Sequence, residues 1–298
     1  MAASVGQRLR NLAHERNEDF ALLLTKFALE RVLFRISQSK HRGVFVLKGA
    51  LLFELWTEQR YRATRDADFL ALGENAAERF IAIFKDICNA AVTDDGLRFD
   101  AESVGAERIT EDANYQGIRV TFVGHLENAR IPIQIDIGFG DVITPPPKEA
   151  IFPTLLDFPA PKLLTYPKES VVAEKFEAMV NLGIANSRMK DFYDLWSLCR
   201  DFSFDGSVLS EAVQKTFARR QTELPGDRPP LAFTAEFYQD ENKKKQWGGF
   251  CDKNKRYMPQ VSLEEVCLAI AAFLMPIVEA LKRSEILQRT WHPSGPWQ

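Results

Sequence analysis

The sequence lacks any apolar run long enough to cross a membrane. No uninterrupted apolar stretch approaches the roughly 18–20 residues that a spanning helix requires. The opening segment, MAASVGQRLRNLAHERNEDF, also lacks the apolar centre and the cleavage site of a secretory signal. We therefore expect a cytoplasmic protein without a membrane partner.

Cysteine and histidine are both scarce, with four residues of each in 298. The cysteines are far apart and form no C-x-x-C pair, which argues against a disulfide framework and a structural zinc site. The histidines show no ligand spacing, and no local motif supplies a Ser-His-Asp triad. The sequence predicts reduced, mostly buried thiols at Cys88, Cys199, Cys251 and Cys267.

An excess of positive charge is also absent. The formal net charge is −3 and the pI is near 5.9, whereas proteins that coat nucleic acid do so through clustered Lys and Arg. A local basic patch remains compatible with this composition. The chain has 46% hydrophobic residues, and its length is sufficient for one large domain or two lobes.

The first half of the chain alternates between helical and strand patterns. Apolar residues at helical spacing predict helices at 19–38 and 75–92. The segment 48–58 has helix-forming composition, and Gly49 lies where the preceding strand turns into this helix. Strands are predicted at 44–47, 67–72, 97–104, 117–124 and 130–140. These elements indicate a mixed α/β (α+β) fold with a sheet of about five strands.

The second half is predicted to be a helical lobe. TPPP at 144–147 and the prolines that follow it indicate a connector between lobes. Helical patterns then begin with 170–183, for which Ser170 is a candidate N-cap and Gly183 a candidate stop. The predicted domains are 1–160 and 161–298.

Two aspartates, Asp66 and Asp68, occupy positions i and i+2 of a predicted strand and should share one face. Two carboxylates so placed repel each other unless a positive group lies between them, and Mg²⁺ is a hard ion held by such carboxylates. A third acid, Asp136, is flanked by isoleucines of another strand, where a carboxylate is costly without a partner. A neighbouring Arg or Lys is the main alternative partner for Asp136.

A glycine turn, Lys48-Gly49-Ala50, follows the first predicted strand and opens a helix. Backbone N–H groups at such a turn attract anions, and glycine lets a phosphate approach the backbone closely. A phosphate site at Lys48 and Gly49 would then face the predicted metal site.

The turn, the Asp-x-Asp pair and the lone third acid resemble the signature of the polymerase-β-like nucleotidyltransferase superfamily. In that fold the three acids hold Mg²⁺ in a two-metal site, and the turn glycine lies at the triphosphate of an NTP. Longer blocks over about residues 20–285 resemble the AbiEii/MenT family, the toxins of bacterial type IV toxin–antitoxin systems. They are FVLKGALLFELW, RATRDADF, VVAEKFEAMVNLG, SRMKDFYDLWSL, QWGGF and AIAAFLMPIVEAL.

This resemblance implies roles for further residues. Thr64 lies where many members have a serine near the incoming phosphates, and Lys175 matches a lysine expected to contact the triphosphate. In the block KDFYDL, Asp191 is taken as a catalytic acid, with Arg188 and Asp194 as nucleotide contacts. The residues themselves also allow a simpler interpretation, because Arg188, Asp191 and Asp194 share a helix face and could pair with each other.

A segment at 241–258, ENKKKQWGGFCDKNKRYM, combines basic residues with Trp247, Phe250 and Tyr257. Basic side chains contact phosphates and aromatic rings stack on unpaired bases, so the segment could bind the end of a tRNA. A solvated loop whose aromatic residues anchor it to the lobe accounts for the pattern equally well.

The family resemblance implies a Mg²⁺-dependent nucleotidyltransferase toxin that transfers NMP from an NTP to the CCA end of tRNA, opposed by an antitoxin encoded nearby. Two alternatives stay open. A protein hydroxyl could be the acceptor, with Thr64 itself as one candidate, or the chain could be a nucleotide-binding pseudoenzyme that acts as an interaction module.

Overall fold

The computed structural model describes residues 1–57, 61–62, 64–112 and 115–298. They form two compact units, one of residues 1–140 and 148–165 and the other of residues 141–147 and 166–298. Glu58, the last residue of the helical segment predicted at 48–58, lies outside the described residues.

The first unit contains a mixed sheet of seven strands with the order β3-β4-β5-β2-β1-β7-β6. Strand β2 is parallel to β5, and β1 is parallel to β7, whereas the other neighbouring strands are antiparallel. The strands are β1 (Phe45–Lys48), β2 (Asp66–Ala71), β3 (Arg98–Asp112), β4 (Tyr115–Leu126), β5 (Ala129–Phe139), β6 (Lys148–Ile151) and β7 (Lys162–Thr165).

The predicted count of about five strands is too low, because β6 and β7 lie in the segment predicted as a connector. The prolines of this segment flank the two strands and do not interrupt them. Lys148 follows Pro147 and Lys162 follows Pro161, so neither short strand contains a residue without a backbone donor. These two strands were not predicted because the prolines around them indicate a connector.

The helices of the first unit are α1 (Ala2–Glu15), α2 (Phe20–Gln38), α3 (Leu52–Trp56) and α4 (Ala77–Cys88). The Asp19 side chain caps α2 by accepting a hydrogen bond of 2.8 Å from the Leu22 backbone N–H. Aromatic rings join α4 to the sheet, since Phe45 contacts Phe69, Phe80 and Phe84. One face of the sheet is therefore the apolar core.

The second unit is mainly helical, as predicted. Its helices are α5 (Lys168–Leu182), α6 (Met189–Asp201), α7 (Gly206–Arg220), α8 (Ala235–Tyr238), α9 (Glu241–Asn254) and α10 (Leu263–Lys282). Two short strands, β8 (Phe204–Asp205) and β9 (Thr290–Trp291), pair with each other. None of the helices in the described ranges is long and apolar enough to span a bilayer.

The two predicted boundaries of α5 have different outcomes. Gly183 ends the helix with a φ of +48°, a conformation that glycine adopts readily, so the predicted stop is confirmed. Ser170 is not the N-cap, because the helix begins at Lys168, directly after Pro167, and Ser170 already lies inside it. The Ser170 hydroxyl instead accepts from the Thr144 N–H at 2.8 Å and donates to the Thr144 carbonyl at 2.9 Å.

Candidate active site

A row of five charged residues crosses five neighbouring strands of the first unit. The register pairs Lys48 with Asp68, Asp68 with Asp136, Asp136 with Arg119, and Arg119 with Glu107. Directly paired residues on adjacent strands project from the same face of a sheet. We call this set the charge row; two like charges lie side by side at its centre, with one cation next to each.

The charge row lies on the face of the sheet opposite the aromatic core. Phe69 alternates with Asp68 along β2 and therefore projects to the other side. Phe69 contacts Phe45 in that core, with ring centroids 5.3 Å apart. Asp68 is half-buried, and the face that carries it is the polar face of the sheet.

Asp66 lies on the same face as Asp68, two residues earlier on β2. The Thr64 hydroxyl donates a hydrogen bond of 2.6 Å to Oδ1 of Asp66, and Thr64 is only 8% exposed. A buried hydroxyl that holds one carboxylate oxygen restricts the rotation of the Asp66 side chain. Thr64 thus orients Asp66.

Gly49 brings the backbone directly against Asp68. Its φ is +74°, in the left-handed region that favours glycine, and a Cβ built there would lie 1.9 Å from Oδ2 of Asp68. No other residue fits without moving the carboxylate. The turn continues into a 3₁₀ turn at Gly49–Leu51 and the five-residue α3, so its helix dipole is small.

Arg119 holds both carboxylate oxygens of Asp136. The Nε atom donates to Oδ1 at 2.8 Å and Nη2 donates to Oδ2 at 2.7 Å, while Gln134 donates to Oδ2 at 3.1 Å. The side chain of Asp136 is 9% exposed and that of Arg119 is 34% exposed. The hydrogen bonds to Asp136 raise the pKa of Arg119 above its usual value, and the charges of Glu107 and Asp66 add to this rise.

The donor set at this face has the chemistry that Mg²⁺ prefers, since it consists of carboxylate oxygens. Asp66 and Asp68 share a face, and Asp136 is the direct neighbour of Asp68 in the parallel register. The oxygens of Asp136 are, however, bonded to Arg119. Within residues 1–57, 61–62, 64–112 and 115–298, no group of three or more His, Cys, Asp or Glu side chains is arranged around a common metal position. Asp66 and Asp68 have the chemistry to hold a metal, whereas Asp136 could join them only if its pair with Arg119 opens.

A second cluster of charges lies within the second unit and joins α5 to the start of α6. Lys175 pairs with Asp191, and its Nζ lies 2.9 Å from Oδ2 of Asp194. The Nε of Arg188 lies 2.6 Å from Oδ2 of Asp191. We call these four residues the quartet; the interpretation that Arg188 and Asp191 pair with each other is confirmed.

The quartet is buried on its acidic side and partly open on its basic side. The side chains of Asp191 and Asp194 are 1% and 0% exposed, while those of Lys175 and Arg188 are 13% and 32% exposed. Burial acts to raise the pKa of Asp191, but the charges of Lys175 and Arg188 outweigh it and hold the pKa below its usual value. The carboxylates of Asp191 and Asp194 therefore fix the ammonium group of Lys175 between them.

A family model described as the nucleotidyl transferase AbiEii toxin of type IV toxin–antitoxin systems matches residues 31–271. The chain belongs to the AbiEii family. The resemblance inferred from the sequence blocks is thereby confirmed, and with it the assignment as a nucleotidyltransferase of a toxin family. No curated protein matches the chain.

Two crystal structures from Helicobacter pylori resemble this AbiEii chain. One, a protein provisionally described as a nucleotidyltransferase, aligns with a TM-score of 0.51 at 14% identity and covers 88% of this chain and 97% of that one. The protein JHP933 aligns with a TM-score of 0.48 at 14% identity, over 88% of this chain and 94% of its own. The first of these likenesses supports the nucleotidyltransferase fold.

The residues predicted for the AbiEii active site fall into two groups, one in each unit, and their roles remain predictions. The first unit contains Lys48, Gly49, Thr64, Asp66, Asp68 and Asp136. The second unit contains the quartet of Lys175, Arg188, Asp191 and Asp194.

The alternative that a neighbouring Arg or Lys partners Asp136 is confirmed by Arg119. Sequence reasoning did not identify this residue by position, although the sequence held a signal for it. Strands β4 and β5 are joined by a two-residue turn, with Leu126 paired to Ala129. Counting seven residues outwards on each strand from that pair brings Arg119 opposite Asp136. Recognising Glu127 and Asn128 as the turn would have identified Arg119 as the partner of Asp136.

Proposed function

We propose that this AbiEii toxin transfers NMP from an NTP to the 3′-hydroxyl of an RNA, with the CCA end of tRNA as the acceptor. Such a modification would block aminoacylation and translation in the cytoplasm until the cognate antitoxin intervenes. The observation that carries this proposal is the position of Gly49 against Asp68, within a row that also contains Asp136 and Lys48. A backbone turn suited to phosphate is thus adjacent to carboxylates suited to a metal.

In the proposed reaction the acceptor oxygen attacks the α-phosphorus and forms a new P–O bond. The bond from the α-phosphorus to the bridging oxygen breaks, and pyrophosphate leaves with that electron pair. Asp66 and Asp68, with Asp136 as the third acid, would hold two Mg²⁺ ions, which polarise the α-phosphate and stabilise the leaving group.

The chain's own residues would bind and orient the reactants. The backbone at Gly49 and the charge of Lys48 attract the phosphates. Thr64 orients Asp66 through its hydrogen bond of 2.6 Å. Asp136 would receive the proton of the attacking hydroxyl, which requires its bonds to Arg119 to loosen.

The part assigned to Lys175 rests on the family. In that assignment its ammonium group offsets the negative charge that develops on the pyrophosphate. The fixed position of this ammonium between Asp191 and Asp194 agrees with such a role, because a preorganised charge needs little reorganisation during the reaction.

The test is a transfer assay with purified protein, total tRNA, Mg²⁺ and each of the four labelled NTPs. We expect label on tRNA with at least one NTP, and loss of that label in Asp66→Asn and Asp68→Asn. Asp157→Asn is the matched control, since Asp157 is an acid of the same unit with a fully exposed side chain. Absence of transfer with all four NTPs, or full activity of Asp68→Asn, would contradict the proposal.

The same assay separates the alternative acceptors. The Thr64 hydroxyl lies 2.6 Å from Asp66, so Thr64 is a protein hydroxyl close to the proposed chemistry. Mass spectrometry after incubation with NTP would detect a nucleotidylated protein, and Thr64→Val would remove that product. NTP binding without any labelled product would instead identify a pseudoenzyme.

A further inference from the structure

The outer face of α9 in the second unit is basic and its residues are exposed. Asp240 caps this helix by accepting hydrogen bonds of 3.0 Å from the N–H groups of Asn242 and Lys243. Five exposed cations and two exposed acids lie between residues 241 and 256, so this surface is positive although the chain as a whole carries −3. The exposed cations are Lys244, Lys245, Lys253, Lys255 and Arg256.

The inner face of α9 is fixed by the residues that the sequence had offered as base-stacking groups. Trp247 is buried and its Nε1 donates to the Val261 carbonyl at 2.9 Å. Phe250 is half-buried and contacts Trp247 and Tyr193. These aromatic side chains anchor the helix, so the segment 241–258 contains a helix where the sequence analysis allowed a loop, and Trp247 is not available to a base.

Gly248 and Gly249 lie in the middle of the outer face, and the fold does not require either of them. A Cβ at either position would meet nothing within 4 Å, and neither residue has a positive φ. Glycine is the poorest helix former after proline, so two adjacent glycines weaken an exposed helix without any gain in packing. They do leave the helix backbone open to a close approach by another molecule.

The basic side chains are placed on both sides of this smooth stretch. Lys244 and Lys245 precede Gly248 and Gly249 by four residues each, and Lys253 follows Gly249 by four. Residues four apart are neighbours on a helix surface. The bare strip of backbone therefore has three lysines and one acid, Asp252, one turn away, and Lys244 also pairs with Glu241 at 2.9 Å. The excess of lysines makes the strip complementary to a chain of phosphates.

We propose that the outer face of α9 docks the sugar–phosphate backbone of the acceptor RNA. Lys244, Lys245 and Lys253 contact phosphates, and the strand passes over Gly248 and Gly249. The identity of the ligand as RNA rests on the proposed function, whereas the position of the docking surface rests on the charges and the glycines. Because Trp247 is buried and cannot stack on a base, this contact depends on the charge and shape of the RNA and not on its base sequence.

The experiment measures binding of fluorescent total tRNA to the full chain by anisotropy, without NTP, at several salt concentrations. The variant Lys244→Gln/Lys245→Gln should bind about tenfold more weakly, and the slope of log K against log salt should fall by about two. Lys215→Gln/Lys282→Gln is the matched control, because these lysines are also partly exposed and lie on α7 and α10 of the same unit. Equal binding by the two double variants would overturn the proposal.

A second variant separates docking from a structural role. Gly248→Ala/Gly249→Ala should raise the melting temperature, because alanine is the better helix former, and should weaken tRNA binding several-fold. If the two glycines were needed only for folding, the melting temperature and tRNA binding would not change in opposite directions. Unchanged tRNA binding in this variant would refute the docking surface, as would the absence of tRNA binding by the wild type at low salt.

The outcomes distinguish this proposal from the proposed function. If the wild type transfers nucleotide to tRNA but the α9 variants bind tRNA normally, the docking surface is wrong and the proposed function stands. If tRNA binding depends on α9 but no nucleotide reaches tRNA, the surface stands and the proposed acceptor is wrong. Binding of polyglutamate in preference to tRNA would assign this face to an acidic protein partner and overturn the proposal.

Discussion

Replacing Arg119 with alanine removes the guanidinium group that holds both oxygens of Asp136. The Asp136 side chain is only 9% exposed, so its charge would remain largely desolvated beside a second acid, Asp68. Breaking a fully buried ion pair costs about 3–5 kcal/mol. Because Arg119 is 34% exposed, solvent screens part of this loss, and we expect a destabilisation of about 2 kcal/mol.

Thermal unfolding measures this effect on the first unit. A loss of about 2 kcal/mol lowers the melting temperature by about 4–8 °C for a unit of this size. Arg130→Ala is the matched control, since Arg130 is an exposed arginine on the same strand as Asp136, and it should change the melting temperature little. Adding Asp136→Asn to Arg119→Ala should restore most of the stability, because the unpaired charge is then removed.

The activity of the same variants tests what the pair does in the reaction. Arg119→Lys keeps the charge but loses the two-point contact, so it should retain more activity than Arg119→Ala. Stability should recover in the double variant with Asp136→Asn while nucleotide transfer does not, since the proposed proton acceptor is gone. If Arg119→Ala melts and transfers nucleotide like the wild type, the reasoning about this pair is wrong.

Three further predictions follow from particular contacts. Gly49→Ala places a Cβ against Asp68 and should abolish nucleotide transfer while circular dichroism shows an intact fold; normal transfer would contradict the close approach. Burial raises the pKa of Glu30 from 4.5 to about 7, so the stability associated with its protonated form is complete below pH 4.5 and is lost as the pH rises through 7. Glu30→Gln should therefore flatten the fall in melting temperature between pH 5 and pH 8, and an unchanged pH dependence would exclude Glu30 as its source. Burial raises the thiol pKa to about 12 for three cysteines, so a thiol reagent should label only half-buried Cys251 readily in the native state and all four in denaturant; the slow ones are Cys88, Cys199 and Cys267.

Local patterns were sufficient to predict most elements of the fold. The helix at 19–38 has a capping aspartate before a long apolar pattern, and the structure begins α2 at Phe20. Strands β6 and β7 were missed because they have four residues each and lie among prolines. Such short segments are strands because the sheet offers them an edge, and no local pattern contains that information.

Some features of the active site could likewise be predicted from the sequence, whereas others could not. The shared face of Asp66 and Asp68 follows from the two-residue period of a strand, which the sequence displays directly. The pairing of Asp68 with Asp136 needs the parallel register of β2 and β5, which are joined through more than fifty residues of chain. That register is set by packing of the whole sheet, so the sequence could offer the adjacency of Asp68 and Asp136 only as a hypothesis, and their binding of a common metal remains a prediction.

The balance of charge within each cluster indicates which of them would attract a divalent cation. The quartet contains two buried acids and two cations, so it is neutral and has no electrostatic reason to bind a further positive charge. The charge row contains three acids and two cations, and Asp66 on the same face brings the number of acids to four. Lys48 and Arg119 lie on the outer sides of Asp68 and Asp136, so neither of these two cations lies between the acids, where it would relieve their repulsion. A dication between the two acids would relieve their repulsion directly. The two-metal hypothesis therefore applies to the charge row, whereas the ammonium group of Lys175 is suited to contact an anion.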